Sequence, residues 1–186
     1  MNSNHSPRRR TTLLAAVGLF LIPVATTTRA ETPANTDTPK AAAKAFYDIV
    51  IKRQVRGLPH KEAWTELQPR LSPKLISLVE AARAEQAAFM KKQTDEKPPW
   101  IDGDLFTSLF EGPQTHSEGE ARVSADQAKV SVSFTYTEGG STTKWTDTLI
   151  LTKGPAGNWL VDDVFYGGGW DFASEGKLSE SLKVRE

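Results

Sequence analysis

The chain has 186 residues, 38% of them hydrophobic and 25% charged, the balance of an ordinary globular protein. Lys+Arg and Asp+Glu both number 23, so no basic excess marks a nucleic-acid binder, and no apolar stretch reaches the roughly 18 residues of a membrane span. Cys is absent, which excludes disulfides, thiolate metal sites, a cysteine nucleophile and a lipid anchor on Cys.

Arg8, Arg9 and Arg10 precede an apolar run of 13 residues from Leu13 to Ala25, the length of a signal-peptide core and too short for a span. Pro23 and the small residues behind it loosen the end of that run, and Thr28-Arg29-Ala30 predicts cleavage after Ala30. Thr12 stands where a twin-arginine signal has a large apolar residue, so Sec export is expected, with a periplasmic or secreted product. Cleavage removes four Arg and leaves 19 basic against 23 acidic groups, an acidic balance that disfavours anionic lipid and nucleic acid.

Residues 31–37, rich in Pro, Thr and Asn, predict a disordered tail, and residues 38–186 a single domain. Thr38-Pro39 is a capping hydroxyl followed by proline in the first helical position. Ala42, Ala45, Phe46, Ile49 and Val50 then recur at helical spacing, and Arg56-Gly57-Leu58-Pro59 ends that helix. A short helix is predicted over His60 to Leu67, with Trp64 and Leu67 inward. Ser72-Pro73 opens the longest helix, striped by Leu75, Leu78, Val79, Ala82 and Phe89 and broken before Pro98-Pro99.

The period then changes from 3.6 to 2. A strand around Thr115 to Ser124 is followed by one in which Ala128, Val130, Val132, Phe134 and Tyr136 alternate with polar residues. Glu138-Gly139-Gly140-Ser141 predicts a hairpin into a third strand, Thr143 to Lys153, with Trp145, Leu149 and Leu151 on one face. In the last strand, Trp159 to Tyr166, the inward set slips from Trp159 and Val161 to Val164 and Tyr166. One extra residue at Asp162-Asp163, a β-bulge, accounts for the slip. Lys177 to Val184 predicts a weak amphipathic helix with Leu178 and Leu182 on one side. Helices followed by consecutive antiparallel strands give an α+β fold, N-terminal helices packed on a curved antiparallel sheet with a concave pocket at its open end.

Pro98-Pro99-Trp100-Ile101-Asp102-Gly103-Asp104-Leu105-Phe106-Thr107-Ser108, the strand opening Ala128-Lys129-Val130, Trp159-Leu160-Val161-Asp162-Asp163-Val164 and the tail from Gly169-Trp170-Asp171-Phe172 to Gly176-Lys177-Leu178 resemble the bacterial secreted domain of unknown function 3828 family. The resemblance covers about Lys40 to Lys183. The final strand is similar to that of nuclear-transport-factor-2-like domains, so the resemblance implies a cone-shaped α+β fold and an exported protein. That family has no assigned activity, so no reaction comes with it.

Candidate chemistry is sparse. Asp102 and Asp104, two residues apart around Gly103, are cation candidates, because hard cations collect oxygens; Asp and Gly are equally standard turn formers. Asp162 or Asp163, aimed inward by the bulge, is a general-base candidate, with Tyr47, Tyr136 or Tyr166 as proton donors; the plain alternative is an Asp pair fixing the bulge. His116 has no Ser or Asp at recognisable spacing and is expected to face solvent on an edge strand. Trp100, Tyr136, Trp145, Trp170 and Phe172 are candidates to line a ligand pocket. Within that set, Trp170 and Phe172 could close over the mouth on the Gly167-Gly168-Gly169 arm.

No phosphate loop, serine-nucleophile elbow, metalloprotease helix or dinucleotide fingerprint is present. No cofactor is expected. The leading expectation is a non-enzymatic envelope module binding a small molecule or an envelope protein, with no nucleic acid and no stable membrane insertion. The alternatives are a small isomerase- or dehydratase-type acid–base enzyme using Asp162 or Asp163 with a Tyr, and a homodimer formed through the sheet.

Overall fold

A computed structural model describes residues 1–2, 37–92 and 95–183. The chain divides into two units, Met1–Thr32 and Pro33–Glu186, and every element below belongs to the second. The predicted export signal, its cleavage point after Ala30 and residues 31–36 of the tail lie outside the described residues.

Helix α1 (Pro39–Lys52) begins where a hydroxyl meets a proline: the Thr38 side chain accepts a hydrogen bond from the Ala41 amide at 3.2 Å, satisfying a donor that the first turn leaves open. Its stripe Ala42, Ala45, Phe46, Ile49 and Val50 is buried as the spacing predicts. Helix α2 (Lys61–Leu67) runs into a 3-10 turn at Gln68–Arg70, and α3 spans Pro73–Lys91. Leu75, Val79 and Ala82 of α3 are buried, while Leu78 and Phe89 are only half-buried. No described helix is long and apolar enough to cross a membrane.

Ser72 caps α3 and also couples it to the sheet. Its Oγ accepts from the Leu75 amide at 3.1 Å and donates to Asp162 Oδ1 at 2.7 Å, and the residue is 1% exposed. Ser72→Ala is expected to cost about 1–2 kcal/mol in denaturant-measured stability, from the lost cap and the orphaned Asp162 oxygen.

The strands β1 (Thr115–Ser124), β2 (Gln127–Glu138), β3 (Ser141–Lys153) and β4 (Trp159–Phe165) form one antiparallel sheet in the order β1-β2-β3-β4. The hairpin predicted at Glu138 to Ser141 is there, with Glu138 paired to Ser141. So is the bulge: Leu151 pairs with Val161 and Ile150 with Asp163, leaving Asp162 as the extra residue. A second irregularity, between Glu118 and Ala121 of β1, bends the opposite edge. The outcome is the expected α+β architecture, helices packed on a curved antiparallel sheet. Helix α1 lies against β1, β2 and β4, and α3 and the short α4 (Leu178–Ser181) reach β4.

Aromatic rings fill the space between α1 and the sheet. Phe46 meets Tyr47 and Phe106 edge-on, Tyr47 meets Phe134 edge-on at 4.8 Å, and Phe134 stacks on Trp145 at 5.3 Å. This middle of the concave face is therefore core, and the hollow lies further along, at Tyr136 near the end of β2.

One glycine fixes the approach of the long 95–114 segment to the end of α1. Gly57 has φ +61, and a Cβ there would overlap the Trp100 carbonyl oxygen. The two backbones are joined by Gly57 N–H to Gly103 O at 2.6 Å and Leu58 N–H to Trp100 O at 3.1 Å. That contact sets Asp104 beside Arg56, nearly fifty residues earlier in the chain.

Candidate functional site

The loop 104–108 is held from four directions. Asp104 Oδ1 accepts from the amides of Phe106 and Thr107, both at 2.7 Å, the turn that Asp favours. Tyr47 donates its phenol to the Phe106 carbonyl at 3.1 Å, and Tyr166 to the Leu105 carbonyl at 2.6 Å. Burial pushes both phenols well above the usual tyrosine range, so they stay protonated and donate. At the far end Asp147 accepts from the Ser108 amide at 2.9 Å and from the Ser108 hydroxyl.

Asp147 is the hub of a buried polar cluster that links the loop, β3 and the chain beyond β4. It also accepts from the Gly167 amide at 2.9 Å and the Trp145 indole at 3.1 Å, and it is 1% exposed. Burial raises its carboxyl, and the hydrogen bonds from Ser108, Gly167 and Trp145 partly offset that rise. The Ser108 hydroxyl accepts in turn from Gly167 at 3.1 Å and Gly168 at 3.0 Å, and the Ser108 carbonyl from Ser174 at 2.9 Å.

A cavity of about 320 Å³ opens beside this rigid loop, between the end of α1, the 111–114 segment and Tyr136. Asp104 lies on its wall. Its side chain is fully buried: Oδ2 and the neighbouring Thr107 Oγ1 both lack a hydrogen-bond partner, and the cation nearest Oδ2 is Arg56 Nη1 at 4.0 Å. Burial drives the Asp104 carboxyl up to about 7, against the opposing pull of its two backbone hydrogen bonds, of Arg56 and of the Thr107 side chain. Arg56 bridges the two rims, donating to the Val55 carbonyl at 3.0 Å and to the Glu111 carbonyl. Gly112 (φ +70) packs directly against this pair, because a Cβ would stand 2.6 Å from Oδ2 and 2.8 Å from Arg56 Nη1 and would overlap both. Tyr136 is half-buried; burial and the Glu138 and Glu111 carboxylates push its phenol up, so it faces the cavity as a neutral group.

Ile51 and Gln114 are shared with a second cavity of about 320 Å³, so the two adjoin along α1 and β1. Gln114 is a wall, its amide closed on the backbone of Thr137 by bonds of 2.9 and 3.0 Å. In the second cavity His116 is clamped between Glu118 (2.6 Å) and Asp48 (3.1 Å), with its side chain 9% exposed, and not solvent-facing as its edge-strand position suggests. The strand edge is covered by α1, whose Asp48 also receives Lys44 at 2.7 Å. Burial pushes Asp48 up, but the bonds from Lys44 and His116 outweigh it and hold the carboxyl below its ordinary range.

The other sequence candidates are not brought together. Asp162 accepts from Ser72 and, at 2.9 Å, from Lys74. Asp163 accepts from the amides of Val164 and Ser179 at 3.0 and 2.9 Å and from the Ser179 hydroxyl at 2.6 Å. The bulge thus aims this pair at α3 and α4, and neither Asp lines the two cavities. Tyr47 is fully buried and spent on the Phe106 carbonyl. Asp102 is exposed and paired with Lys97 while Asp104 is buried, so the two carboxylates have separate surroundings; among the described residues no group of three or more His, Asp or Glu could hold a metal.

The predicted aromatic pocket also disperses. Trp145 is core, Trp100 is half-buried and donates to the Ser181 carbonyl at 2.8 Å, and Trp170 packs edge-on against Trp145 at 6.0 Å. Phe172 is 100% exposed, so it does not join Trp170 in a lid. Of the five only Tyr136 lines the cavity. Comparison with family models, with curated proteins and with solved structures finds no match for this chain.

Proposed function

We propose that this chain is an exported, non-enzymatic binding module of the cell envelope, a cone-shaped domain of the nuclear-transport-factor-2-like type, which takes a small polar ligand in the cavity beneath Arg56. The observation that carries the reading is the cavity itself, about 320 Å³, with the half-exposed Arg56 guanidinium and the Tyr136 phenol on its wall and the buried Asp104 carboxyl 4.0 Å from Arg56. Elsewhere in the loop and sheet the buried carboxylates Asp147 and Asp163 are occupied by protein donors, the mark of groups that hold a structure. The exposed outward face of the sheet carries hydroxyl pairs such as Ser133–Thr146 and Thr137–Thr142, which supports the cavity over sheet-to-sheet pairing as the binding surface.

An acid–base role is the second reading, and the raised carboxyl of Asp104 moves it there from Asp162 and Asp163, with Tyr136 as the neutral donor across the cavity.

A fragment library titrated into the isotope-labelled protein tests the binding reading. Amide shifts are expected at Arg56, Asp104, Gly112 and Tyr136. Hits that map only to other surfaces, or none at all, contradict it.

A further inference from the structure

We propose that the cavity beneath Arg56 takes a free α-amino acid, its carboxylate held by Arg56 and Gln54 and its ammonium by Glu111. The inference rests on the binding reading above and names the ligand class for the same site.

The polar groups of the wall divide into those already bonded and those left for a ligand. Gln114 is closed on the Thr137 backbone, and Asp104 is buried behind Arg56, where it backs the guanidinium and touches no ligand. Arg56 keeps N–H groups to offer: Nη1 and Nη2 each give one to a carbonyl, of Val55 and of Glu111, and the side chain is 45% exposed. The exposed side chains of Gln54 and Glu111 make no hydrogen bond or ion pair with the described residues. The described lining thus presents a cation, a carboxylate and an amide, all with bonding capacity to spare, around one cavity.

Gln54 holds its position at a cost. Helix α1 closes with Gln54 N–H to the Ile51 carbonyl at 3.0 Å and Val55 N–H to the Val50 carbonyl at 3.1 Å, the paired bonds that put the residue after the cap in the left-handed conformation. Gly is the usual residue there, and Gln54 adopts φ +47 with a side chain that no protein group holds. What that side chain does is line the cavity.

Charge selects the class. Arg56 donates to the Glu111 carbonyl, so the guanidinium and the Glu111 carboxylate belong to neighbouring points of one rim, and the two charges of an α-amino acid hang from one carbon. Both rim charges face the Tyr136 phenol, which Glu111 pushes up and Arg56 pulls down. A simple anion meets Glu111 as a like charge, and a simple cation meets Arg56. A zwitterion pairs with both. Ile51 and Pro113, on the same wall, offer apolar surface to an aliphatic side chain.

The test uses leucine, N-acetyl-leucine, which lacks the ammonium, and leucinamide, which lacks the carboxylate. Each is titrated calorimetrically and by amide shifts into the full chain at mildly acidic pH, where the free amines are charged. Leucine is expected to bind, shifting Gln54, Arg56, Glu111 and Tyr136, and each blocked form to bind about tenfold more weakly. Glu111→Gln should weaken leucine about tenfold and leave N-acetyl-leucine unchanged. Arg56→Gln should weaken leucine and leave leucinamide unchanged, because each blocked probe has already lost the partner of the altered residue. Gln54→Gly should raise Tm by about 2–4 °C and weaken leucine binding. A raised Tm with unchanged leucine affinity overturns the role of Gln54. A blocked form that binds as tightly as leucine at these residues overturns the zwitterion. Silence of these residues to leucine overturns the ligand class; the cavity stands as the site if the fragment library shifts them, and falls with it if the library does not.

Discussion

Asp104→Asn removes a pH dependence of folding worth about 4 kcal/mol. In the folded chain Asp104 holds its proton up to about 7, while the unfolded chain releases it near the ordinary Asp value of about 3.9. Between those values the folded state binds more protons than the unfolded state, so wild-type stability falls as pH rises, by up to about 1.4 kcal/mol per unit, and levels off above about 7. Asn at the same place keeps the bonds to Phe106 and Thr107 and has no proton to lose. Urea denaturation of both proteins from about pH 4 to about pH 8 should show the wild type losing ground to the variant across the window. Asp147, also raised, slopes the same way in both proteins and cancels in the difference. Parallel curves contradict the assignment.

Asp147→Ala should be as damaging as any single change in the domain. It leaves the Ser108 amide and hydroxyl and the Trp145 indole without their acceptor, and takes from the Gly167 amide one of two. Buried donors orphaned in this way cost about 1–3 kcal/mol each, so a loss of about 4 kcal/mol is expected, roughly a 10 °C drop in Tm for a domain of this size. Hydrogen exchange distinguishes this from a simple cavity effect. The Ser108, Gly167 and Gly168 amides should lose protection first, because they share one hub. Asp147→Asn, which keeps one oxygen, should fall between the two proteins.

How far the sequence reveals all this depends on the range of the interaction. The helices and strands are legible because their apolar residues repeat locally at 3.6 or 2, and the bulge at Asp162 because the inward set of β4 slips by one. What the bulge does is not legible. Asp162 and Asp163 reach Ser72, Lys74 and Ser179, partners far away in the chain. Asp147 could have been found: it sits between Trp145 and Leu149 on the inward register of β3, where a carboxylate must be bonded or neutral. The cavity could not. Arg56 reads locally as a helix stop and Asp104 as a turn, and only the tight contact at Gly57 brings them face to face. Aromatic content misleads for the same reason. Trp145 is core and Trp170 packs edge-on against it, whereas Phe172, after a run of glycines with no periodicity, points outward.

Following the Asp104 side-chain carboxyl carbon by NMR through a pH titration tests the site most directly. A midpoint near neutrality, with the Arg56, Gly112 and Tyr136 signals moving on the same curve, is the predicted result. A midpoint in the ordinary Asp range, or one that leaves those neighbours unmoved, would contradict a proton held on this buried carboxyl.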